Sequence, residues 1–411
     1  MSTQWPGGIL SKTPPTITAP VAGEGGSASG MWTMTEAMTY SKTGNWPKPA
    51  KLRQLWVWGK NDTGHLGTGN TTSLSSPVQV GSLTDWSQHI AGGEGHSAAV
   101  KADGTFWTWG QNTNGQLGQG NTTNLSSPVQ LGSLTDWAYV EAMGASCLSV
   151  KTDGTLWTWG YNHNGQLGNG AVASISSPIQ IGSLTTWGKA QGAGSSTILH
   201  VKTDGALWAW GTGSVGVLGN GATAHKSSPI QIGSLTNWAT VDAGNGPFAA
   251  AVKTDGTLWT WGENSYGTLG HGNTTNLSSP VQVGSLTTWY SARAGDQALY
   301  AIKTDGTLWV AGRNTGGRLA DGSTTHRSSL VQVGALTIWA SVNPVAEGAT
   351  GFKTNGTKWS WGECSGNLGT TGQGNNTTLS EPTQVGSATD WITANYLASG
   401  NCLHNLHFRE G

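Results

Sequence analysis

Charge is scarce in this chain. Asp, Glu, Lys and Arg make up 10% of its 411 residues, and the formal net charge is -1. No run of Lys or Arg occurs, so the basic footprint needed for nucleic acid or an anionic membrane surface is missing, and neither is expected as a partner. No apolar stretch approaches the roughly 18 residues of a membrane helix. The N-terminal MSTQWPGGIL lacks the basic-then-apolar order of a secretory signal. The expectation is a soluble protein made in the cytoplasm, without membrane insertion. Three cysteines, Cys147, Cys364 and Cys402, are far apart and form no CxxC. Neither a disulfide framework nor a zinc site follows, and small buried side chains are the plain reading. Of ten histidines only His404 and His407 lie close, at a spacing that a strand puts on opposite faces. No metal or other cofactor is expected.

Glycine and tryptophan, by contrast, are abundant, at 64 and 23 residues. That pairing suits a β-rich protein with many tight turns and not a disordered chain, which would lack the aromatics. The signature W-x-W-G recurs with its second Trp at Trp58, Trp109, Trp159, Trp210, Trp261 and Trp361, and a degenerate copy, Trp309-Val310-Ala311-Gly312, fills the one double step. Seven further tryptophans lead the units: Trp86, Trp137, Trp187, Trp238, Trp289, Trp339 and Trp391.

The clearest unit, Trp137 to Leu184, parses into four short strands. The first follows Trp137, the second ends at Val150-Lys151, the third is Thr155–Trp159 and the fourth Pro178–Ile181. Asp153-Gly154 marks the hairpin between the second and third, because these residues tolerate the positive φ of such turns. A lone four-stranded sheet of this size cannot bury both faces, whereas radial stacking can, which is the logic of a β-propeller. Trp157 and Trp159 should face one neighbouring blade and Leu156 the other. The chain ends from Trp391 to Phe408 on the first half of a unit, and Leu55–Leu83 supplies a second half. Joining them completes a seventh blade. The fold class expected is therefore all-β, a seven-bladed propeller with four-stranded blades over residues 51–411, the last closed by both terminal segments.

The string W-G-x-N-x-x-G-Q-L-G-x-G, intact at Trp109–Gly120 and Trp159–Gly170, resembles the repeat of the regulator of chromosome condensation family, as do the period and the later S-S-P. Founding members of that family exchange nucleotide on a small nuclear GTPase and touch chromatin through a basic tail. No such tail is present here. Residues 1–50 instead run from a Pro-, Gly-, Ser- and Thr-rich stretch into Gly30-Met31-Trp32-Thr33 and on to Gly44-Asn45-Trp46-Pro47. Thr33 and Glu36 have capping-box spacing, and Gly44 with Pro47 stops the short helix they begin. This arm resembles the N-terminal segment of tailed-phage virion proteins, which implies an anchor made by Trp32, Thr33, Glu36, Trp46 and Pro47.

Several tempting motifs belong to the repeat. Gly211-Thr212-Gly213-Ser214-Val215-Gly216 matches GxGxxG, and Gly362-Glu363-Cys364-Ser365-Gly366 mimics a nucleophile elbow, yet both occupy the W-G-x-N position and no helix is expected after them. No catalytic residue is assigned and no enzyme is expected. The repeat breaks most in the fifth full unit, with Ala311 for Trp, Leu330 for Pro, and Arg293, Arg313, Arg318 and Arg327 in one stretch. An Arg-rich rim there is the candidate partner-binding site. The loop from Leu368 to Pro382 is also longer than its equivalents. The leading expectation is a virion protein, tail-associated or on the capsid, held by residues 1–50 to other virion proteins and meeting a host surface protein or glycan. The alternative is a cellular scaffold that uses one propeller face for a protein partner.

Overall fold

A computed structural model describes residues 53–410 except 83–84, 189–193, 195, 245, 346, 364–372, 374–376, 390, 392–396 and 399–403. The expected helix and anchor residues Trp32, Thr33, Glu36, Trp46 and Pro47 lie outside this set, as do Cys364, Cys402 and most of the long loop. Residues Arg53–Glu410 form one compact unit.

The strands follow the repeat. They are β1 (Arg53–Gly59), β2 (Leu74–Gln79), β3 (Trp86–Gly92), β4 (His96–Lys101), β5 (Phe106–Gly110), β6 (Leu125–Gln130), β7 (Trp137–Met143), β8 (Ser146–Lys151), β9 (Leu156–Gly160) and β10 (Ile175–Gln180). Next come β11 (Thr197–Val201), β12 (Leu207–Gly211), β13 (Lys226–Gln231), β14 (Trp238–Ala243), β15 (Phe248–Lys253), β16 (Leu258–Gly262), β17 (Leu277–Gln282), β18 (Trp289–Ala294) and β19 (Ala298–Lys303). The series ends with β20 (Leu308–Gly312), β21 (Arg327–Gln332), β22 (Trp339–Val345), β23 (Gly348–Lys353), β24 (Lys358–Gly362), β25 (Leu379–Gln384), β26 (Leu397–Ala398) and β27 (His404–Glu410). The fourth strand of each unit starts earlier than the Ser-Ser-Pro motif suggests, at Ile175 and not Pro178, because Ile175 already pairs with Gly160.

Six sheets are built around one contiguous unit each, in the orders β3-β4-β5-β6, β7-β8-β9-β10, β11-β12-β13, β14-β15-β16-β17, β18-β19-β20-β21 and β22-β23-β24-β25. In the three-stranded one, Trp187 bridges Lys202 where a leading strand would run. A further sheet is composite, β27-β1-β2, paired antiparallel from Arg53↔Glu410 to Gly59↔His404. Three of its strands are seen among the described residues, and 392–396, where the fourth is expected, lie outside them. β26 runs parallel to β3 instead, with Leu397 opposite Ala91, and extends that sheet to five strands. The unit is an all-β propeller, with the leading strands of successive sheets lying against one another.

The core sits between sheets, as the i, i+2 pattern requires. Trp159 packs with Phe106 and Trp137 toward the preceding sheet, whereas Leu156 packs with Trp187, Ile198 and Trp210 of the next. The indole N–H of five second signature tryptophans donates across the interface to a carbonyl of the preceding sheet's unit: Trp109 to His65 (2.9 Å), Trp159 to Gln116 (2.9 Å), Trp210 to Gln166 (3.0 Å), Trp261 to Val217 (2.7 Å) and Trp361 to Arg318 (3.0 Å). Each is a buried hydrogen bond worth about 0.5–1.5 kcal/mol net, on top of the apolar burial.

The Asp-Gly-Thr-Leu-Trp run is explained atom by atom. Asp153 Oδ1 accepts from the Thr155 amide (2.9 Å) and hydroxyl (2.7 Å), and the Thr155 oxygen accepts from the Trp157 indole (2.9 Å). Only the glycine of the pair is left-handed, with φ +79° at Gly154, and a Cβ there would lie 2.1 Å from the Thr185 carbonyl oxygen. The Asn of W-G-x-N is likewise fixed: buried Asn162 accepts from the Leu167 amide and donates to the Ala171 and Ala173 carbonyls, folding the loop back on itself.

Candidate interaction site

Antiparallel order gives the propeller two unlike faces. On one lie the Asp-Gly hairpins and the loops that lead into the next unit. Below five of the six hairpins a lysine ammonium rests between two indoles, as with Lys151 over Trp137 (4.9 Å) and Trp157 (4.5 Å), Lys253 over Trp238 (4.7 Å) and Trp259 (3.7 Å), and Lys353 over Trp339 (4.9 Å) and Trp359 (3.2 Å). Lys101 and Lys151 also pair with Asp85 and Asp136, both at 3.2 Å. These slots are cation–π packing repeated unit after unit, and they hold the leading Trp in place. An open groove of about 500 Å³ between β2 and β6, lined by Leu74, Val78, Trp86, Trp107 and Pro128, is the wedge left where outer strands diverge. It lies away from the arginines.

The opposite face carries the W-G-x-N loops and the turns after each leading strand, and here the repeats differ. The four arginines do not form one rim. Arg318 is buried, 1% exposed, with Nη1 on the Asp296 carbonyl (2.7 Å) and carboxylate (3.3 Å) and Nη2 on Glu347 of the next sheet. Arg327, on the outermost strand β21, donates to Asp321 at 2.7 Å. Arg293 lies on the leading strand β18. Arg313 alone joins a surface cluster. Its guanidinium sits 5.6 Å over the Tyr266 ring and donates to Gln297 Oε1 (3.1 Å), while Tyr266 meets the exposed His326 edge-on at 5.1 Å.

Two of the sequence breaks prove to be one packing event. Ala311 leaves the space of an indole empty, and Leu330, where other units have Pro, fills it: a Cβ at Gly270 would meet Leu330 Cγ at 3.4 Å, where at Gly118 it would meet Trp159 Nε1 at 2.9 Å. Neither residue belongs to a site. The missed position is Tyr266, which stands where other units have Asn, Thr, Val or Gly; a Tyr on a loop of an otherwise repetitive unit is the signal that could have found it. Cys147 is buried with its thiol 3.2 Å from His96 Nε2, and burial pushes its ionisation far above the ordinary thiol range, so it is inert as a nucleophile. Among the described residues no cluster of His, Cys, Asp and Glu could hold a metal, and no helix is long and apolar enough to cross a membrane.

Comparison with known proteins finds the sequence model of the regulator of chromosome condensation (RCC1) repeat matching residues 54–100, 103–147, 153–198, 204–250 and 255–302. The chain is 31% identical over 235 residues to the E3 ubiquitin-protein ligase HERC2 of Homo sapiens, spanning 57% of this chain and 4% of that one. It is 28% identical over 236 residues to the ultraviolet-B receptor UVR8 of Arabidopsis thaliana, spanning 56% and 53%. The chain thus spans about half or less of the length of these curated relatives. Among solved structures, Prp20p of Saccharomyces cerevisiae, described with its binding to Gsp1p and histones, superposes with a TM-score of 0.75 at 17% identity, covering 88% of this chain and 92% of that one. Human WBSCR16 gives 0.74 at 18%, covering 88% and 100%. At these identities the superpositions speak for the fold alone.

Proposed function

The chain belongs to the RCC1 repeat family, and from that premise we propose that it is a non-enzymatic protein-binding propeller whose docking face is the one bearing Tyr266, Arg313 and His326. The observation that carries the reading is the contrast between the faces. Side chains repeat unit after unit where they pack, and among the described residues an Arg stacked on a Tyr beside an exposed His appears on a single loop pair. Tyr and Arg are the residue types that dominate protein–protein hot spots. Arg318 and Arg327, already paired with carboxylates, act as supports and not as contacts. The binding of Prp20p to Gsp1p and histones agrees with a protein-interaction role. The relatives named are eukaryotic proteins, so the scaffold is preferred to the virion protein expected from the arm.

The composite sheet is proposed to close the ring as a seventh blade, supported by the seven-residue pairing of β27 with β1. The test of function compares the full chain with Tyr266→Ala/Arg313→Ala as baits in extracts of the source organism, read by quantitative mass spectrometry. A defined protein retained by the wild type and lost from the variant is expected. Equal retention by both baits sinks the assignment of the face, and no retention above an unrelated propeller sinks the scaffold reading.

A further inference from the structure

The leading strands carry a pattern that packing does not explain. Register places Ala91, Glu141, Asp242, Arg293 and Asn343 at one equivalent position, opposite Ala98, Leu148, Ala250, Tyr300 and Thr350. Four of these five are polar or charged and no two are alike, in units whose packing positions are nearly identical. Two residues earlier stand Tyr139, Thr240, Ser291 and Ser341, all polar. The residues between are apolar and buried: Val140, Val241, Ala292 and Val342. Each of these leading strands therefore has one apolar side and one side that carries polar groups into buried surroundings.

Those polar sides converge. Asp242 accepts the Ala294 amide of the next sheet at 3.0 Å, so its carboxylate crosses from β14 to β18. Burial raises the ionisation of the Tyr139 hydroxyl, on β7, far above its ordinary range; Glu141 and Asp242 push it the same way and Arg293 the other, so charges from three sheets act on one group. Among the described residues Asp242 and Arg293 attract one another without forming an ion pair. Among the described residues Arg293 has neither a hydrogen bond nor an ion pair. Asn343, 4% exposed, has no acceptor for its Nδ2, and the Thr240 and Ser341 hydroxyls lack partners too. Sequence logic agrees: the residue equivalent to Ala294 in the next sheet is Pro344, which has no N–H for a carboxylate to accept, and the chain places a donor, Arg293, beside it. Burial raises the Asp242 carboxyl from its ordinary value, so a cation arriving there would be welcomed.

We propose that this axial position binds a small zwitterion of the α-amino acid class, its carboxylate taken by Arg293 and the Asn343 amide and its ammonium by Asp242, with Glu141 adding negative potential. Donors on β18 and β22 face acceptors on β14 and β7, and a ligand with one charge of each sign satisfies both. A simple anion would meet the two carboxylates, and a simple cation the guanidinium. The site does not depend on the docking face proposed above.

The test is calorimetric titration of the full chain with each of the twenty standard amino acids, and with sodium acetate and methylammonium chloride as half-ligands. Saturable binding of at least one amino acid is expected, with both half-ligands far weaker. Removing the charge-assisted contact in Arg293→Gln should weaken binding by about 30-fold or more, with partial recovery in Arg293→Lys. Asn343→Ala should weaken it less, and Arg327→Gln not at all. Circular dichroism confirms that each variant is folded, and Asn343→Ala serves if Arg293→Gln is not. If no amino acid binds at about 10 mM, or if Arg293→Gln binds as the wild type does, the axial residues are a structural plug and the proposal fails.

Discussion

Restoring the consensus pair at the broken interface, Ala311→Trp with Leu330→Pro, should show strong coupling between two residues that are individually damaging to change. Ala311→Trp alone forces an indole into space that Leu330 fills, an overpacking that costs about 1–3 kcal/mol. Leu330→Pro alone strips a side chain packed against Leu299 and Ala311 and leaves a void, costing about 2–4 kcal/mol. Independent effects would sum to about 3–7 kcal/mol. The double variant should lie within about 1 kcal/mol of wild type, because Gly270 keeps the room an indole needs and the Thr268 carbonyl gains the donor that its counterparts have. Proline itself fits, since Pro128, Pro178, Pro229 and Pro280 occupy the equivalent place. Urea unfolding of wild type, both singles and the double measures the cycle. Additivity to within about 0.5 kcal/mol would refute the compensation, and so would a double variant worse than either single.

Other expectations can be checked with the same material. Lys358 is fully buried where other units have Leu or Phe, 3.9 Å from the Trp58 ring, and its ammonium has no acceptor among the described residues. Burial holds its ionisation well below the ordinary lysine range, so Lys358→Leu should stabilise by about 1–3 kcal/mol in a urea melt. His65, His96 and His200 are buried, and burial lowers each to about 4. A depressed histidine binds fewer protons folded than unfolded, so stability is intact above about pH 6.5 and falls as pH drops toward 4, by up to about 3 kcal/mol per histidine. A denaturant midpoint that is flat between pH 7 and 4.5 would contradict this. Gly154→Ala should lose about 2 kcal/mol or more from the clash with the Thr185 carbonyl at positive φ, read as a lowered melting temperature.

Period made the propeller legible. A leading Trp every 50 to 52 residues, an Asp-Gly about a third of the way to the next and alternation within W-x-W fixed the strands and the sides of the sheet they bury. Individual side chains were harder to place, because their meaning depends on partners in other units. Arg318 reads as a rim residue until Asp296 and Glu347 are seen on either side of it. Ala311 and Leu330 read as two separate losses until they are seen to share one space. The composite sheet was foreseen in outline, but β26 pairing with β3 was not, since a two-residue parallel contact leaves no mark in the hydrophobic pattern. The axial residues emerge only when units are aligned by backbone register, because the first unit carries an extra residue before Ala91 and breaks the spacing.

The lysines beneath the hairpins have a consequence for the chemistry of the protein's surface. Lys101, Lys151, Lys253 and Lys353 are each less than 9% exposed, with the amine seated against indoles. An acylating reagent or an amine-directed crosslinker approaching the hairpin face would find aspartates in reach and those amines withheld. A crosslinking map built on lysine would therefore leave that face nearly blank however closely another molecule lay against it, and carboxyl-directed reagents are the ones that would see it.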